Sequence, residues 1–141
     1  MNHPIFPCLW FDGQAKAAAD FYCSVFKNAK IITVSPMVVI FELNGTKFMG
    51  LNGGPQFKFN ESVSLVVDCD TQEEIDDYWN KLTSDGGQES MCGWLKDKFG
   101  LSWQIIPSNM GNLMSDPVKA ERIMKVIMDM RKIDKAKLEN A

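Results

Sequence analysis

The spacing of apolar residues switches between two periods along the chain, and the same switch occurs twice. From Phe6 a short apolar run leads to Asp12, and apolar residues then recur every three or four positions as far as Phe26. A second apolar run leads to Asp68, and a helical spacing again follows, as far as Leu82. These patterns predict a strand followed by a helix in each half of the chain, which indicates an internal repeat.

Each predicted helix precedes three runs that are typical of strands. Thr71 with Glu74 three residues later is a capping-box pattern, which predicts that the second helix begins after Thr71. Asn44-Gly45 joins two runs of the first half and predicts a two-residue hairpin turn. The strand-like runs are residues 30–35, 37–43 and 46–51 in the first half and residues 87–92, 94–97 and 101–107 in the second.

This element order predicts an α+β fold built from two tandem βαβββ modules. The modules cover about residues 4–55 and about residues 60–108, within a single domain of residues 1–141. A lone module with one helix would leave one face of its sheet bare, so we expect the two modules to lie side by side. The expected result is a curved mixed sheet with helices outside and an inward cleft.

The last predicted strand raises a question about one amide side chain. Because side chains alternate along a strand, Leu101, Trp103 and Ile105 are expected to face the core. Gln104 then points the other way, together with its neighbours at positions 102 and 106. Three roles are open for it: a solvent residue, a metal ligand, or part of a binding pocket.

The C-terminal tail, about residues 115–139, has the pattern of an amphipathic helix. Ser115 is a candidate N-cap, and Pro117 suits the first turn. The apolar stripe needs a partner surface, either on the domain's own sheet or across a dimer interface, and we favour contact in a homodimer. The stripe consists of Ile123, Val126, Ile127, Met130 and Ile133.

Charge and composition argue against several kinds of partner. The net charge of -3 and the isoelectric point near 5.1 do not suit nucleic-acid binding, which needs a dense basic face. No apolar run approaches the roughly 20 residues that span a membrane, and the chain does not begin like a signal peptide. We therefore expect a cytoplasmic protein with neither a nucleic-acid nor a membrane partner.

The cysteines and the histidine do not form a recognisable reactive site. Cys8, Cys23, Cys69 and Cys92 are scattered without a C-x-x-C pair, and the single histidine is His3. We therefore expect neither a Cys/His zinc site nor a hydrolase triad. Four buried or half-buried thiols in a reducing cytosol are the expected arrangement.

Three further motifs are interpreted as structural. The acidic pair Asp76-Asp77 is expected on the solvated face of the second helix. Residues 96–98, Lys-Asp-Lys, are expected to form the polar end of a hairpin. Gly53-Gly54 is followed by proline and opens no helix, so it is interpreted as a loop between modules rather than a nucleotide-binding turn.

The repeated strand-helix-three-strand unit resembles the one that builds the vicinal oxygen chelate superfamily, which includes glyoxalase, bleomycin-resistance proteins and dihydroxybiphenyl dioxygenases. Residues 9–31, 41–64 and 92–107 look more closely like the PhnB-like family, often labelled 3-demethylubiquinone-9 3-methyltransferase. The likeness runs from about Phe6 to Met130. One departure lies near Pro36, where the family usually has a longer, Gly-rich loop, and the shorter loop is expected to alter one wall of the cleft.

The resemblance also implies where a metal ion would be bound. The superfamily's ligand positions, one on the first and one on the last strand of each module, correspond here to Phe6, Met49, Ser62 and Gln104. Two of these side chains offer no useful oxygen or nitrogen, so a divalent ion would be held poorly. The expectation is therefore a protein with no resident metal and no cofactor, in which the superfamily's metal-assisted mechanisms do not operate.

Two interpretations of Gln104 follow from this resemblance. In one, its amide is hydrogen-bonded to Ser64 or to backbone and closes the cleft. In the other, it is the polar anchor of a pocket for a small molecule, with apolar walls and a few hydroxyl groups. The expected lining residues are Cys8, Trp10, Met49, Leu51, Ser62, Ser64, Val66, Trp94 and Gln104.

The leading functional hypothesis is a metal-independent protein that binds a small, partly apolar molecule in the cleft, without binding S-adenosylmethionine. One alternative is a metal-assisted enzyme, of lyase, isomerase or dioxygenase type, acting on a small carbonyl or aromatic compound. Another is a dimeric scaffold with no small ligand. The homodimer could be module-swapped or side-by-side, because residues 53–62 have the composition of a flexible linker.

Overall fold

The computed structural model describes residues 2–141 and divides into two compact units, the first ending at Phe59 and the second running from Asn60 to Ala141. Each unit contains a four-stranded mixed sheet and a helix of 11 residues that packs on one of its faces. The predicted α+β fold with two βαβββ modules is therefore confirmed. None of the helices in the described part of the chain is long and apolar enough to cross a membrane.

The first unit follows the predicted element order. Its first strand is parallel to its last, and the remaining neighbours are antiparallel, so the sheet has the order β1-β4-β3-β2. The predicted hairpin turn is present, since Asn44 and Gly45 both have positive φ angles, of 50° and 86°. The elements are β1 (Cys8–Phe11), α1 (Ala15–Val25), β2 (Ala29–Val34), β3 (Val38–Leu43) and β4 (Thr46–Asn52).

The second unit repeats this topology and adds helices after its last strand. Its sheet has the order β5-β8-β7-β6, with β5 parallel to β8. Thr71 accepts a hydrogen bond from the Glu74 N–H at 3.2 Å, so it is the helix cap that the sequence predicts. The elements are β5 (Ser64–Cys69), α2 (Gln72–Leu82), β6 (Gln88–Glu89), β7 (Trp94–Lys96), β8 (Ser102–Pro107), α3 (Met110–Leu113), α4 (Pro117–Ile127) and α5 (Lys135–Glu139).

The core of the first unit lies between α1 and its sheet. Small side chains let the helix approach closely: a Cβ atom added at Gly50 would lie 3.1 Å from the Cβ of Ala15. The start of α1 is capped from the sheet, because the Ala15 N–H donates to Asn52 Oδ1 at 2.9 Å. The buried helix residues are Ala15, Ala18, Ala19, Tyr22 and Val25.

The core of the second unit forms in the same way between α2 and its sheet. Ile75, Trp79 and Leu82 are buried on the helix. The Trp79 indole Nε1 donates to Glu89 Oε1 at 2.5 Å, which connects the helix to the short edge strand β6. As predicted, Trp103 and Ile105 of β8 are also buried, with exposed fractions of 2% and 0%.

Asp97 differs from the prediction that residues 96–98 form a polar hairpin end. Its side chain is only 2% exposed. Oδ1 accepts hydrogen bonds from the N–H groups of Phe99 (2.8 Å) and Leu101 (3.1 Å), and Oδ2 accepts one from the indole of Trp103 (2.9 Å). The interpretation was wrong for Asp97 because this carboxylate satisfies three donors that the fold buries beside it.

The C-terminal tail is not the single amphipathic helix that its spacing predicts. It consists of the short helices α4 and α5 with non-helical residues between them, and Asp116 rather than Ser115 caps α4 by accepting from the Val118 N–H at 3.2 Å. Pro117 begins α4, as predicted for the first turn. The break follows from competing hydrogen bonds, because the carbonyls of Met130 and Arg131 accept from the turn at residues 92–93.

The apolar side chains of the tail pack within the second unit. The Gln72 side chain makes two hydrogen bonds with the backbone of the tail. Its Nε2 donates to the Ile133 carbonyl at 2.9 Å, and its Oε1 accepts from the Lys135 N–H at 2.8 Å. Of the two partner surfaces considered for the stripe, the unit itself is therefore the one observed. The buried cluster consists of Leu113, Ile123, Ile127, Met130, Ile133 and Leu138.

We expect Asp97→Ala to lower the free energy of unfolding by about 2–4 kcal/mol, because three buried donors lose their acceptor. Urea unfolding measures this loss. The control is Glu73→Ala, which removes an exposed carboxylate from α2 and is expected to change stability by less than about 0.5 kcal/mol. Equal losses in the two variants would contradict the structural role of Asp97.

We expect Gly93→Ala to destabilise the protein by about 1–3 kcal/mol. Gly93 has a φ of +83°, and an added Cβ would lie 2.9 Å from Ile133 Cγ1 and 3.0 Å from the Ile105 carbonyl oxygen. Gly111→Ala is the matched control, since a Cβ at that position meets no atom within 4 Å and the residue lies in α3. Thermal unfolding of both variants is the measurement, and an unchanged midpoint for Gly93→Ala would refute close packing of the tail.

Candidate functional site

Each sheet has one face covered by the helix of its own unit and an opposite face, here called the helix-free face. On the first sheet, Cys8 pairs with Met49 and Trp10 pairs with Leu51. These four predicted pocket residues therefore form two cross-strand pairs between the parallel strands β1 and β4. Both pairs lie on the helix-free face. Met49, Leu51 and Trp10 are half-buried and Cys8 is exposed.

Trp10 is fixed in place by the loop that follows β4. Its indole Nε1 donates to the Gly54 carbonyl at 2.8 Å, and the Phe57 ring packs edge-on with centroids 4.9 Å apart. A Cβ atom added at Gly53 would lie 2.4 Å from the indole ring, so glycine is required there by close packing. The Gly53-Gly54 loop thus serves to hold Trp10, and it opens no helix, since the next element is β5.

On the second sheet, the helix-free face carries Gln104 in the row formed by Trp94, Gln104 and Val66. Gln104 Nε2 donates to the hydroxyl of Ser64 at 2.9 Å, the hydrogen bond named in the interpretation in which the amide closes the cleft. Among the described residues, Gln104 Oε1 has no hydrogen-bond partner. The half-buried amide therefore retains a free acceptor beside Trp94 and the 53% exposed Val66.

Phe6 and Ser62, two of the four positions that correspond to superfamily metal ligands, lie before the first strand of their unit rather than on it. Phe6 precedes β1, and its ring lies beneath the Lys47 ammonium group at 4.1 Å. Ser62 lies exposed in a turn before β5, where its N–H and hydroxyl both donate to Asn60 Oδ1, at 2.9 and 2.5 Å. The assignment of these two ligand positions stays a prediction, since both residues lie just before the strands that carry their neighbours.

The residues present do not fit a divalent metal ion. At the four superfamily positions, Phe6 has no donor atom, Met49 has only a soft thioether, and the Ser62 hydroxyl is engaged with Asn60. The amide of Gln104 is the remaining ligand type. Within residues 2–141, no group of three or more His, Cys, Asp and Glu side chains could hold an ion.

The four cysteines form no disulfide, and burial raises the pKa of three of their thiols, those of Cys8, Cys23 and Cys69. Burial raises the pKa of the Cys69 thiol to about 12, and the nearby acidic side chains act in the same direction. Desolvation also raises the pKa of the Cys8 thiol. Cys8 is nevertheless exposed, at the start of β1, so the expectation that all four thiols are buried or half-buried was wrong for this residue. These three thiols stay protonated at neutral pH and are poor nucleophiles.

The shortened loop near Pro36 is tied to the rest of the first unit. The Ser35 N–H donates to the Val38 carbonyl at 2.9 Å, which closes a tight turn. Asn52 Nδ2 donates to the Pro36 carbonyl at 3.0 Å. The side chain that caps α1 therefore also holds this loop.

The predicted pocket residues are divided between the two units, and the sequence reasoning missed a hollow in the second. Ser64, Trp94 and Gln104 lie on the second sheet, whereas Cys8, Trp10, Met49 and Leu51 lie on the first. Ser102 was missed because its burial depends on residues distant in sequence; the available signal was a lone hydroxyl between two core residues of the closing strand. The hollow measures about 200 Å³ and is lined chiefly by Glu61, Gln88, Ser90, Trp94, Lys96 and Ser102.

Comparison with solved structures identifies proteins of the same fold. FosX, a fosfomycin resistance protein from Listeria monocytogenes solved with Mn(II) and sulfate, is 13% identical with a TM-score of 0.60, over 82% of this chain and 97% of that chain. A glyoxalase-related enzyme from Fulvimarina pelagi is 18% identical with a TM-score of 0.52, over 72% of this chain and 86% of that chain. At these identities the likeness shows the fold alone. No curated protein matches the chain.

A closer relationship comes from a family model and one further structure. The model for 3-demethylubiquinone-9 3-methyltransferase matches residues 3–106. A putative 3-demethylubiquinone-9 3-methyltransferase, PhnB protein, from Bacillus cereus is 33% identical with a TM-score of 0.68, over 74% of this chain and 99% of that chain. The chain therefore belongs to the PhnB-like family known as 3-demethylubiquinone-9 3-methyltransferase.

Proposed function

We propose that this protein binds a small, partly apolar molecule on a helix-free sheet face and does so without a resident metal ion. The observation that carries the proposal is the Gln104 amide, which is half-buried and has a free acceptor at Oε1. Trp94 and Val66 are its cross-strand neighbours. An apolar surface with one oriented polar group is the usual composition of a small-molecule site.

The Ser64–Gln104 hydrogen bond supports this role because it orients the amide. With Nε2 engaged by the serine hydroxyl at 2.9 Å, the oxygen is the atom left for a ligand. A ligand that donates one hydrogen bond from an otherwise apolar body would match this arrangement. Val66 supports the same conclusion, since a branched apolar side chain that is 53% exposed gains from being covered.

The donor chemistry of the ligand positions supports metal independence. The superfamily resemblance places Phe6 and Met49 at two of the four ligand positions, and neither side chain offers an oxygen or nitrogen donor. A hard cation requires several oxygen or nitrogen ligands, and one amide is too few. The proposal therefore assigns binding to hydrogen bonding and apolar contact alone.

The proposal departs from the methyltransferase description of the family. S-adenosylmethionine is commonly bound where a glycine-rich turn after a strand leads into a helix. The glycines that follow β4 pack against Trp10 instead, and the next helix begins only at Gln72. We infer that the protein binds no S-adenosylmethionine and requires no other cofactor.

The proposal includes a cytoplasmic homodimer. Support for self-association comes from exposed apolar side chains at α4, since Val118 and Met128 are both 63% exposed. Support for the cytoplasm comes from four thiols that form no disulfide.

We expect the protein to retain neither metal ions nor S-adenosylmethionine after it has been incubated with them and the excess has been removed. The protein would be incubated separately with Mn²⁺, Zn²⁺, Ni²⁺ and S-adenosylmethionine, desalted, and assayed by elemental analysis or absorbance. Each should remain well below one equivalent per chain, because the ligand set and the glycine loop do not fit them. Retention of one metal equivalent that is lost in Gln104→Ala would refute metal independence.

The binding proposal is tested with 1-naphthol, which carries one hydroxyl donor on an apolar ring. We expect calorimetric binding that EDTA leaves unchanged and that Gln104→Leu weakens roughly fivefold, the size of one hydrogen bond. Val66→Lys should abolish binding by placing a charge in the apolar surface.

Val34→Lys is the matched control, because it adds the same charge at a valine that is 54% exposed and lies on a strand of the other sheet, β2. It should leave the affinity for 1-naphthol unchanged. Undetectable binding to the parent protein, or equal losses in the two lysine variants, would contradict the proposed site.

A further inference from the structure

The hollow in the second unit lies beside Gln104 on the same helix-free face. Gln88 pairs with Lys96, Lys96 pairs with Ser102, and Ser102 pairs with Ser64. These four polar residues therefore form a row across all four strands, next to the row that contains Gln104. The hollow of about 200 Å³ lies over this row and reaches Trp94.

Ser102 is the residue that points to a ligand. Its side chain is 1% exposed, and within residues 2–141 its hydroxyl has no hydrogen-bond partner. A buried hydroxyl without a partner is unfavourable, so native proteins rarely leave one unsatisfied. Since Ser102 lines the hollow, an atom placed there can satisfy it.

An ion pair crosses the hollow above Ser102. Glu61 lies just before β5 and forms an ion pair with Lys96 on β7, and β8 lies between these two strands. The Glu61 side chain is 61% exposed, whereas that of Lys96 is 35% exposed. Exposed ion pairs contribute little to stability, so a ligand can replace Glu61 as the partner of Lys96 at small cost.

When a ligand displaces the Glu61 carboxylate, the Lys96 ammonium is left as the one cation that the ligand must balance. A second acid, Glu89, also lines the hollow, but its carboxylate accepts from the indole of Trp79 on α2 at 2.5 Å and is engaged there. The side-chain donors among the lining residues include the Lys96 ammonium, the Gln88 amide and the hydroxyls of Ser90 and Ser102. One cation balances one negative charge, and a doubly charged group would leave excess charge desolvated.

We infer that the hollow binds a small monocarboxylate, with its carboxylate at Lys96 and Ser102 and its apolar body along Trp94 towards Gln104. This inference rests on the proposed function and names the ligand class for the same face. Glu61 then acts as an internal competitor, a carboxylate that occupies Lys96 until the ligand's carboxylate replaces it.

The test compares three probes that share one ring: 1-naphthol, 1-naphthoate and 1-naphthyl phosphate, titrated at pH 8. Naphthoate should bind more tightly than naphthol, because a charge-assisted hydrogen bond at Lys96 contributes roughly tenfold and the missing hydrogen bond to Gln104 costs only roughly fivefold. Naphthyl phosphate, a dianion at this pH, should bind more weakly than naphthoate. Phosphate binding equal to or tighter than naphthoate would overturn the assignment to a monocarboxylate.

Three variants and one control locate the carboxylate. Lys96→Met and Ser102→Ala should each lower the affinity for naphthoate while leaving that for naphthol unchanged. Glu61→Gln should raise the affinity for naphthoate several-fold, because it removes the competitor. Lys125→Met, which removes an exposed lysine paired with Glu121 on α4, should change neither.

The outcomes separate this inference from the proposed function. If naphthol binds but naphthoate gains nothing from Lys96, the carboxylate site is refuted and the proposed function stands. If neither probe binds, both fail. Ser102→Ala is expected to fold, since it removes an unsatisfied group, and an unchanged naphthoate affinity in that variant would refute the part assigned to Ser102.

Discussion

A single helix of 11 residues covers each four-stranded sheet, and this constraint determines how the rest of the molecule is arranged. One helix can bury only one face of such a sheet, so the hydrophobic core of each unit lies on that side. The opposite face in each unit carries the mixed apolar and polar side chains from which a binding site can be built. Parallel pairing of the first and last strands places those side chains next to one another, although they are distant in sequence.

The elements that could be predicted from the sequence are those determined by local interactions. The period of apolar residues identifies α1 and α2, and the Thr71 cap and the Asn44-Gly45 turn are short-range features. The tail could not be predicted in the same way, because Met130 and Ile133 have helical spacing but their segment pairs with a distant turn. Asp97 was misinterpreted for the same reason, since its donors become buried only when the sheet forms.

The candidate site shows the same division between local and long-range information. The Gln104–Ser64 hydrogen bond could be expected because both residues follow the strand period on adjacent strands. Phe6 and Ser62 lie just outside the strands, where that period no longer applies. The position of Ser102 between two core residues draws attention to its hydroxyl, but whether that oxygen finds a partner depends on residues that are distant in sequence.

The tail has a consequence for the family as a whole. The family match ends at residue 106, whereas the tail that packs on the second unit lies beyond it. Gln72 and Gly93 belong to the shared part, yet their contacts are with the tail: one holds it through an amide, and the other leaves room for Ile133. A relative that ends at the closing strand has no such segment to accommodate. Gly93 would still be constrained there by its φ of +83° and by the Ile105 carbonyl, whereas position 72 would be free to vary. The residue at position 72 therefore distinguishes members that carry a packed extension from members that do not.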